Sequence, residues 1–119
     1  MKLTMLGTGN ALVTECYNTC FLLEDDQQLF MVDGGGGNAV LHQIRHAGYD
    51  WMDIRHIFVT HKHIDHLLGI LWMVRMICQF MDHGEYRGRR LYLFPRRGAG
   101  PDPGHGRQAA AGKRVRLHR

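Results

Sequence analysis

The residues best suited to chemistry form one short cluster, the segment His61-Lys62-His63-Ile64-Asp65-His66. Imidazole nitrogens and carboxylate oxygens bind zinc, iron and manganese ions. Because His61 and His63 are two residues apart at the end of an apolar segment, a strand there would point both side chains to one ion. Asp65 and His66 follow after the chain turns and can bind the same ion or a second one. The cluster predicts a metal site that leaves positions for water, as a metal-dependent hydrolase requires.

Two other groups of residues leave alternatives open. The chain has nine histidines in 119 residues, so an adventitious cluster of surface histidines is the competing interpretation of residues 61–66. Asp33 ends a strand-like segment, where it either holds a metal-bound histidine by a hydrogen bond or caps a turn. His42 and His46 are four residues apart and lack a third ligand, which is typical of a solvated helix face.

The elements that must position the cluster follow from the apolar pattern. β-Branched and aromatic runs predict strands, and apolar residues at helical spacing predict helices. Asn38 is predicted to cap the first helix, which Gly48 ends. The order is β-β-β-α-β-α, typical of an α/β layered core: strands at 2–6, 17–23, 29–32 and 56–60, and helices at 39–47 and 67–81.

Three segments resemble a known family. The segment THKHIDHLLG, from Thr60 to Gly69, resembles the THxHxDHxxG motif of the metallo-β-lactamase superfamily, and LFMVDGG at 29–35 resembles its strand-Asp-Gly segment. The opening LGTGNA at 6–11 and the segment Tyr17-Asn18-Thr19 resemble the ribonuclease Z-like branch, the tRNA 3′-processing endonucleases. The resemblance implies an α/β fold over residues 1–94, namely the N-terminal part of an αββα sandwich.

The resemblance also implies roles for individual residues. His61 and His63 would bind the first of two zinc ions, and Asp65 and His66 would bind the second. Asp65 would also act as a base or orient the attacking water, and Asp33 would support the site from behind the ligands. Gly69 would allow the following helix to pack closely. The implied substrate is RNA, in the form of a tRNA precursor, or a small phosphodiester or ester.

The chain departs from the family pattern downstream of residue 88. The family needs a further histidine, a metal-bridging aspartate and a last histidine, and His83, His105 and His118 lack the strand-loop context for these roles. We therefore expect incomplete zinc binding and a truncated or frameshifted product. Such a half-domain would expose the inner face of its sheet and leave the helix at 67–81 without cover.

The charge of the chain changes abruptly near the same point. Residues 1–88 carry a net charge of −4, whereas residues 89–119 carry +8 and all three prolines. This composition predicts a disordered Arg/Gly/Pro-rich tail at 95–119. Translation of a shifted reading frame in GC-rich DNA is one explanation, and an RNA-binding basic arm is the other.

Several functions remain open from the sequence. They are a ribonuclease Z-like phosphodiesterase, an esterase or sulfatase of the same fold, a non-catalytic metal- or RNA-binding fragment, and a product without its own function. Three irregularly spaced cysteines predict free thiols in the cytoplasm rather than a disulfide framework. The apolar segment 67–81 is shorter than the roughly 20 residues of a membrane span, so no membrane partner is expected. A homodimer stays an open option.

Overall fold

The computed structural model describes residues 1–86, 90–95 and 113–117, which form one mixed sheet with two helices. The strands lie in chain order; β1 to β3 and β5 to β6 pair antiparallel, whereas β3, β4 and β5 pair parallel. The elements are β1 (Lys2–Gly7), β2 (Cys20–Asp25), β3 (Gln28–Val32), α1 (Ala39–His46), a 3-10 turn (Trp51–Asp53), β4 (Ile54–Phe58), α2 (Ile64–Asp82), β5 (Arg90–Phe94) and β6 (Lys113–Leu117).

The two faces of the sheet differ in their cover. On one face, strand residues such as Leu22, Met31 and Ile57 are buried in one cluster with residues of α1 and α2. The opposite face carries Leu3 and Met5, which are 56% and 43% exposed. This exposed apolar face agrees with the predicted fold class, in which the chain supplies the N-terminal part of a layered α/β sandwich.

Helix α2 differs from its prediction in two ways. It begins at Ile64 rather than at residue 67, so the second half of the histidine cluster forms its first turn. Its 19 residues make it long and apolar enough to cross a membrane by length and composition, contrary to the estimate from residues 67–81. However, Ile70, Met73 and Ile77 are at most 1% exposed within the core of the sheet. The expectation of a helix without cover is therefore wrong for this side of α2, whereas Leu71 and Trp72 of the same helix are 52% and 38% exposed.

Two further predictions are corrected by the backbone. Asn38 is the predicted cap of α1, but its backbone is helical, whereas a capping residue normally has an extended backbone. Within the described residues, its side chain accepts no hydrogen bond from the first turn of α1. Residues 113–117 of the expected disordered tail form β6, antiparallel to β5. The alternation of basic and apolar types in that segment is typical of a strand. Residues 96–112, 118 and 119 lie outside the described residues.

The three cysteines are free thiols that differ in burial. Cys16 and Cys78 are exposed, whereas Cys20 is buried and burial raises the pKa of its thiol to about 12. A thiol reagent at pH 8 should therefore modify two thiols quickly and Cys20 at least about 100-fold more slowly, because only the thiolate of an opened structure reacts. Mass spectrometry over time measures both phases. A Cys20→Ala variant should show only the two fast modifications, and three equal rates in the unchanged chain would contradict the burial.

Candidate metal centre

The candidate site lies where β3 and β4 end side by side. These two strands are parallel, with Val32 opposite Phe58, so both deliver their next residues to the same edge of the sheet. The backbone N–H of Asp33 continues the pairing by donating to the carbonyl of Phe58 at 2.9 Å. The chain after β4 then passes through Thr60 to the histidine cluster and enters α2.

Asp33 is the buried carboxyl residue of the site, with an exposure of 5%. Its Oδ1 accepts a hydrogen bond from the backbone N–H of Thr60 at 2.8 Å. Its Oδ2 accepts from the Thr60 hydroxyl at 2.7 Å and lies 2.8 Å from Nδ1 of His66. These three partners occupy both carboxylate oxygens. Asp33 therefore orients Thr60 and His66 by hydrogen bonds. That it supports a metal-bound histidine, and is not itself a ligand, remains a prediction.

The contact with Asp33 determines how His66 can act. An ionised carboxylate only accepts hydrogen bonds, so Nδ1 of His66 carries the proton that Asp33 Oδ2 binds. In neutral His66 the other nitrogen, Nε2, is then a bare lone pair. It lies 3.1 Å from Oδ2 of Asp65, which is also an acceptor. Two acceptors at this distance repel each other unless a proton or a metal ion lies between them.

A metal ion fits this pair of atoms. Two donor atoms that bind one ion at about 2.0–2.1 Å lie about 2.9–3.4 Å apart for coordination angles between about 90° and 109°. The separation of 3.1 Å between His66 Nε2 and Asp65 Oδ2 falls inside that interval. The separation is thus compatible with the prediction that Asp65 and His66 bind one ion, and Asp33 holds the imidazole through its Nδ1.

The two remaining histidines of the cluster lie against this pair. The ring centroids of His61 and His66 are 4.1 Å apart, and those of His61 and His63 are 4.6 Å apart. Ligand atoms of Asp33, His61 and His66 all lie within 4.8 Å of one another. His63 is the exposed member and immediately precedes α2. The structure thus brings together the four predicted ligands and Asp33, while their binding of metal stays a prediction.

A close contact between two glycines fixes the loop after Asp33 to the first turns of α2. The backbone N–H of Gly34 donates to the carbonyl of His66, and that of Gly69 donates to the carbonyl of Gly35, both at 2.9 Å. A Cβ atom on Gly69 would lie 1.8 Å from the carbonyl oxygen of Gly34. Glycine at position 69 therefore allows the close packing that the sequence predicts there.

Tyr17 holds the same loop from the other side. Its hydroxyl oxygen lies 2.6 Å from the carbonyl oxygen of Gly34 and 2.9 Å from that of Gly37, and the hydroxyl donates its single proton to one of them at a time. Burial raises the pKa of Tyr17 to about 12, so the hydroxyl keeps its proton at neutral pH. Asn18 adds a second tie, because its Oδ1 accepts from the backbone N–H of Gly36 at 3.1 Å. The Tyr17-Asn18 segment therefore supports the position of Asp33.

The sequence did not predict the roles of Thr60 and Tyr17. The resemblance included both residues, but side-chain contacts across 27 and 17–20 residues leave no local signal in the sequence. His83 follows the last residue of α2. A helix of that length places His83 roughly 28 Å from the cluster, so it is not a ligand within this chain. His105 and His118 lie outside the described residues.

The architecture and the site together define the class of protein. A mixed sheet with helices on one face and an Asp-His cluster at the strand ends is the first part of the metallo-β-lactamase fold. The structure of YhfI from Bacillus subtilis, a protein of this fold, superposes with a TM-score of 0.60 at 20% identity, covering 70% of this chain and 33% of that one. The predicted fold class is confirmed.

Comparison of sequences identifies the family. The family model described as Anti-Pycsar protein Apyc1 matches residues 1–94, so the chain belongs to the Apyc1 family. It is also 37% identical over 76 residues to ribonuclease Z of Methanothermobacter thermautotrophicus and 39% identical over 74 residues to that of Staphylococcus carnosus. These matches cover 63% and 59% of this chain but 24% of each relative. The chain thus spans about a quarter of the length of these relatives, and the predicted resemblance to ribonuclease Z is confirmed.

Proposed function

We propose that the chain is a metal-dependent phosphodiesterase of the ribonuclease Z type, with RNA as substrate and zinc as its metal. The observation that carries the proposal is the 3.1 Å separation of His66 Nε2 and Asp65 Oδ2 in front of the buried Asp33. Its metallo-hydrolase lineage follows from the fold and from the ribonuclease Z relatives. By the family resemblance, His61 and His63 would hold one ion and Asp65 and His66 would hold the other.

In the proposed reaction, Asp65, Asp33 and the loop after Asp33 would have different roles. Two divalent ions, when bound, would lower the pKa of a water molecule and neutralise charge on the phosphate. Asp65 presents a carboxylate in the first turn of α2. With Oδ2 beside His66 Nε2 as a ligand atom, the other oxygen, Oδ1, is the one that would accept a proton from the nucleophile. Asp33 keeps the His66 imidazole in one orientation and one tautomer. Two backbone hydrogen bonds, from Gly34 to His66 and from Gly69 to Gly35, hold the loop after Asp33 against α2.

The decisive experiment compares three classes of substrate after zinc is added to chelator-treated protein. A tRNA precursor with a 3′ extension and bis-p-nitrophenyl phosphate test phosphodiester cleavage, whereas p-nitrophenyl acetate and p-nitrophenyl sulfate test the ester and sulfate alternatives. We expect zinc-dependent cleavage of the phosphodiesters, reduced at least about 100-fold in Asp65→Asn. Elemental analysis of the same samples gives the number of ions per chain.

Each other outcome rejects the proposal in a defined way. Cleavage of only the acetate or the sulfate would assign a different hydrolase activity. Zinc binding without turnover would identify a non-catalytic metal-binding fragment. Binding of the tRNA precursor that weakens steeply with salt and needs no zinc would identify a basic RNA-binding chain.

A further inference from the structure

The hydroxyl of Thr60 lies between two residues of the site. Its Oγ1 is 2.7 Å from Oδ2 of Asp33 and 2.8 Å from Nδ1 of His61. Both contacts are partly buried, so water competes with them less than it would at the surface. A hydroxyl has a single proton to donate and two lone pairs that accept. The direction of each hydrogen bond can therefore be assigned.

The ionised Asp33 decides that direction. Because its Oδ2 only accepts, the Thr60 hydroxyl must give its proton to Asp33. Oγ1 of Thr60 is then an acceptor toward His61, and Nδ1 of His61 must carry a proton to fill that contact. The opposite arrangement would leave two acceptor oxygens 2.7 Å apart without a proton between them. Neutral His61 is thus held as the tautomer whose free lone pair is on Nε2.

The same carboxylate oxygen also accepts from Nδ1 of His66 at 2.8 Å. Asp33 therefore sets the tautomer of His66 directly and that of His61 through one intervening hydroxyl. By the family resemblance these histidines would bind different metal ions. A single buried carboxylate would then prepare both metal positions, and Thr60 would connect it to only one of them.

We propose that Thr60 is a positioning residue. Through the Thr60 hydroxyl, Asp33 holds His61 in the tautomer protonated on Nδ1, which leaves Nε2 free for the first metal ion. This inference rests on the proposed metal-binding function for its purpose, but the tautomer itself exists without metal. Removing the Thr60 hydroxyl affects the His61 side alone, whereas Asp33→Asn affects both histidines. The two substitutions therefore differ in which histidines change tautomer.

The first test uses metal-free protein labelled with nitrogen-15 at histidine. Spectra recorded over a range of pH identify the neutral imidazole of each histidine, and its nitrogen shifts distinguish the two tautomers. We expect both His61 and His66 to carry the proton on Nδ1. In Thr60→Val, which keeps the shape but lacks the hydroxyl, His61 should populate the Nε2-protonated form while His66 is unchanged. Thr60→Ser retains the hydroxyl and should behave as the unchanged chain.

The second test measures zinc affinity by competition with a chelating dye. Thr60→Val should weaken one zinc position about 10- to 100-fold, and Thr60→Ser should restore it to within about threefold. Predominant Nε2 protonation of His61 in the unchanged chain would overturn the inference, even if Thr60→Val fails to fold. An unchanged His61 tautomer in folded Thr60→Val would overturn it as well. If the expected tautomers are observed but the chain binds no zinc, the hydrogen-bonded link from Asp33 through Thr60 to His61 is supported and the proposed function is rejected.

Discussion

Replacing His66 by alanine is expected to weaken zinc binding by at least about 100-fold, more than loss of a residue that only supports a ligand. His66 offers Nε2 beside Asp65 and simultaneously donates Nδ1–H to the buried Asp33. The substitution thus removes a proposed metal ligand and one of the three partners of a buried carboxylate. Leaving that carboxylate short of a partner should also lower the free energy of unfolding by about 1–3 kcal/mol. Calorimetric zinc titration and urea denaturation measure the two effects.

His42→Ala is the matched control for this experiment. His42 is exposed on α1 and its ring stacks on that of His46 at 5.9 Å, so its loss should change the free energy of unfolding by less than about 0.5 kcal/mol. Because the chain has nine histidines, weak zinc binding at the surface would be lost equally in both variants. Equal zinc affinity of His66→Ala and the unchanged chain would place the metal site elsewhere.

Replacing Gly69 by alanine is expected to destabilise the fold by about 3 kcal/mol or more. The new Cβ would lie 1.8 Å from the carbonyl oxygen and 2.5 Å from the carbonyl carbon of Gly34. These are backbone atoms, so relief requires α2 to move away from the loop and to break its two hydrogen bonds there. Urea denaturation followed by circular dichroism measures the loss as a lower midpoint. Zinc affinity should fall too, because Gly34 adjoins Asp33.

Gly37→Ala makes the same chemical change in the same loop. Apart from the two adjacent residues, no described residue has an atom within 4 Å of the Cβ that alanine would add at Gly37, and the φ of Gly37 is not in the left-handed region. We expect its free energy of unfolding to stay within about 0.5 kcal/mol of that of the unchanged chain. If both glycine variants unfold at the same urea concentration, the close approach of Gly69 and Gly34 is not present in solution.

The sequence predicted the order of the elements through α2 because their signals are local. Alternating apolar residues, glycine turns and helical spacing give strands and helices without knowledge of distant residues. It failed where distant pairing decides the outcome. Strand β4 begins at Ile54 because that residue pairs with Leu29, although the apolar run suggested residues 56–60. β6 exists by pairing with β5, which the composition of the tail concealed.

The candidate site was predictable to a different extent. Spacing alone selected His61, His63, Asp65 and His66, since few other side chains bind metal ions. It could not give the position of Asp33, which lies 33 residues from His66 and contacts it only through the folded sheet. It also could not predict that α2 begins inside the cluster. The helical turn is what separates the directions of His63 and His66.

Position 33 combines two requirements that are independent of each other. Its backbone has a φ of 58°, in the left-handed region where aspartate and asparagine are the most tolerated residues other than glycine. Its side chain must also supply a negative charge to the site. Glutamate has the charge but favours this backbone less, asparagine accepts the backbone but is neutral, and glycine lacks a side chain. Among the twenty amino acids, aspartate alone meets both requirements, so this position has almost no mutational freedom while the site functions.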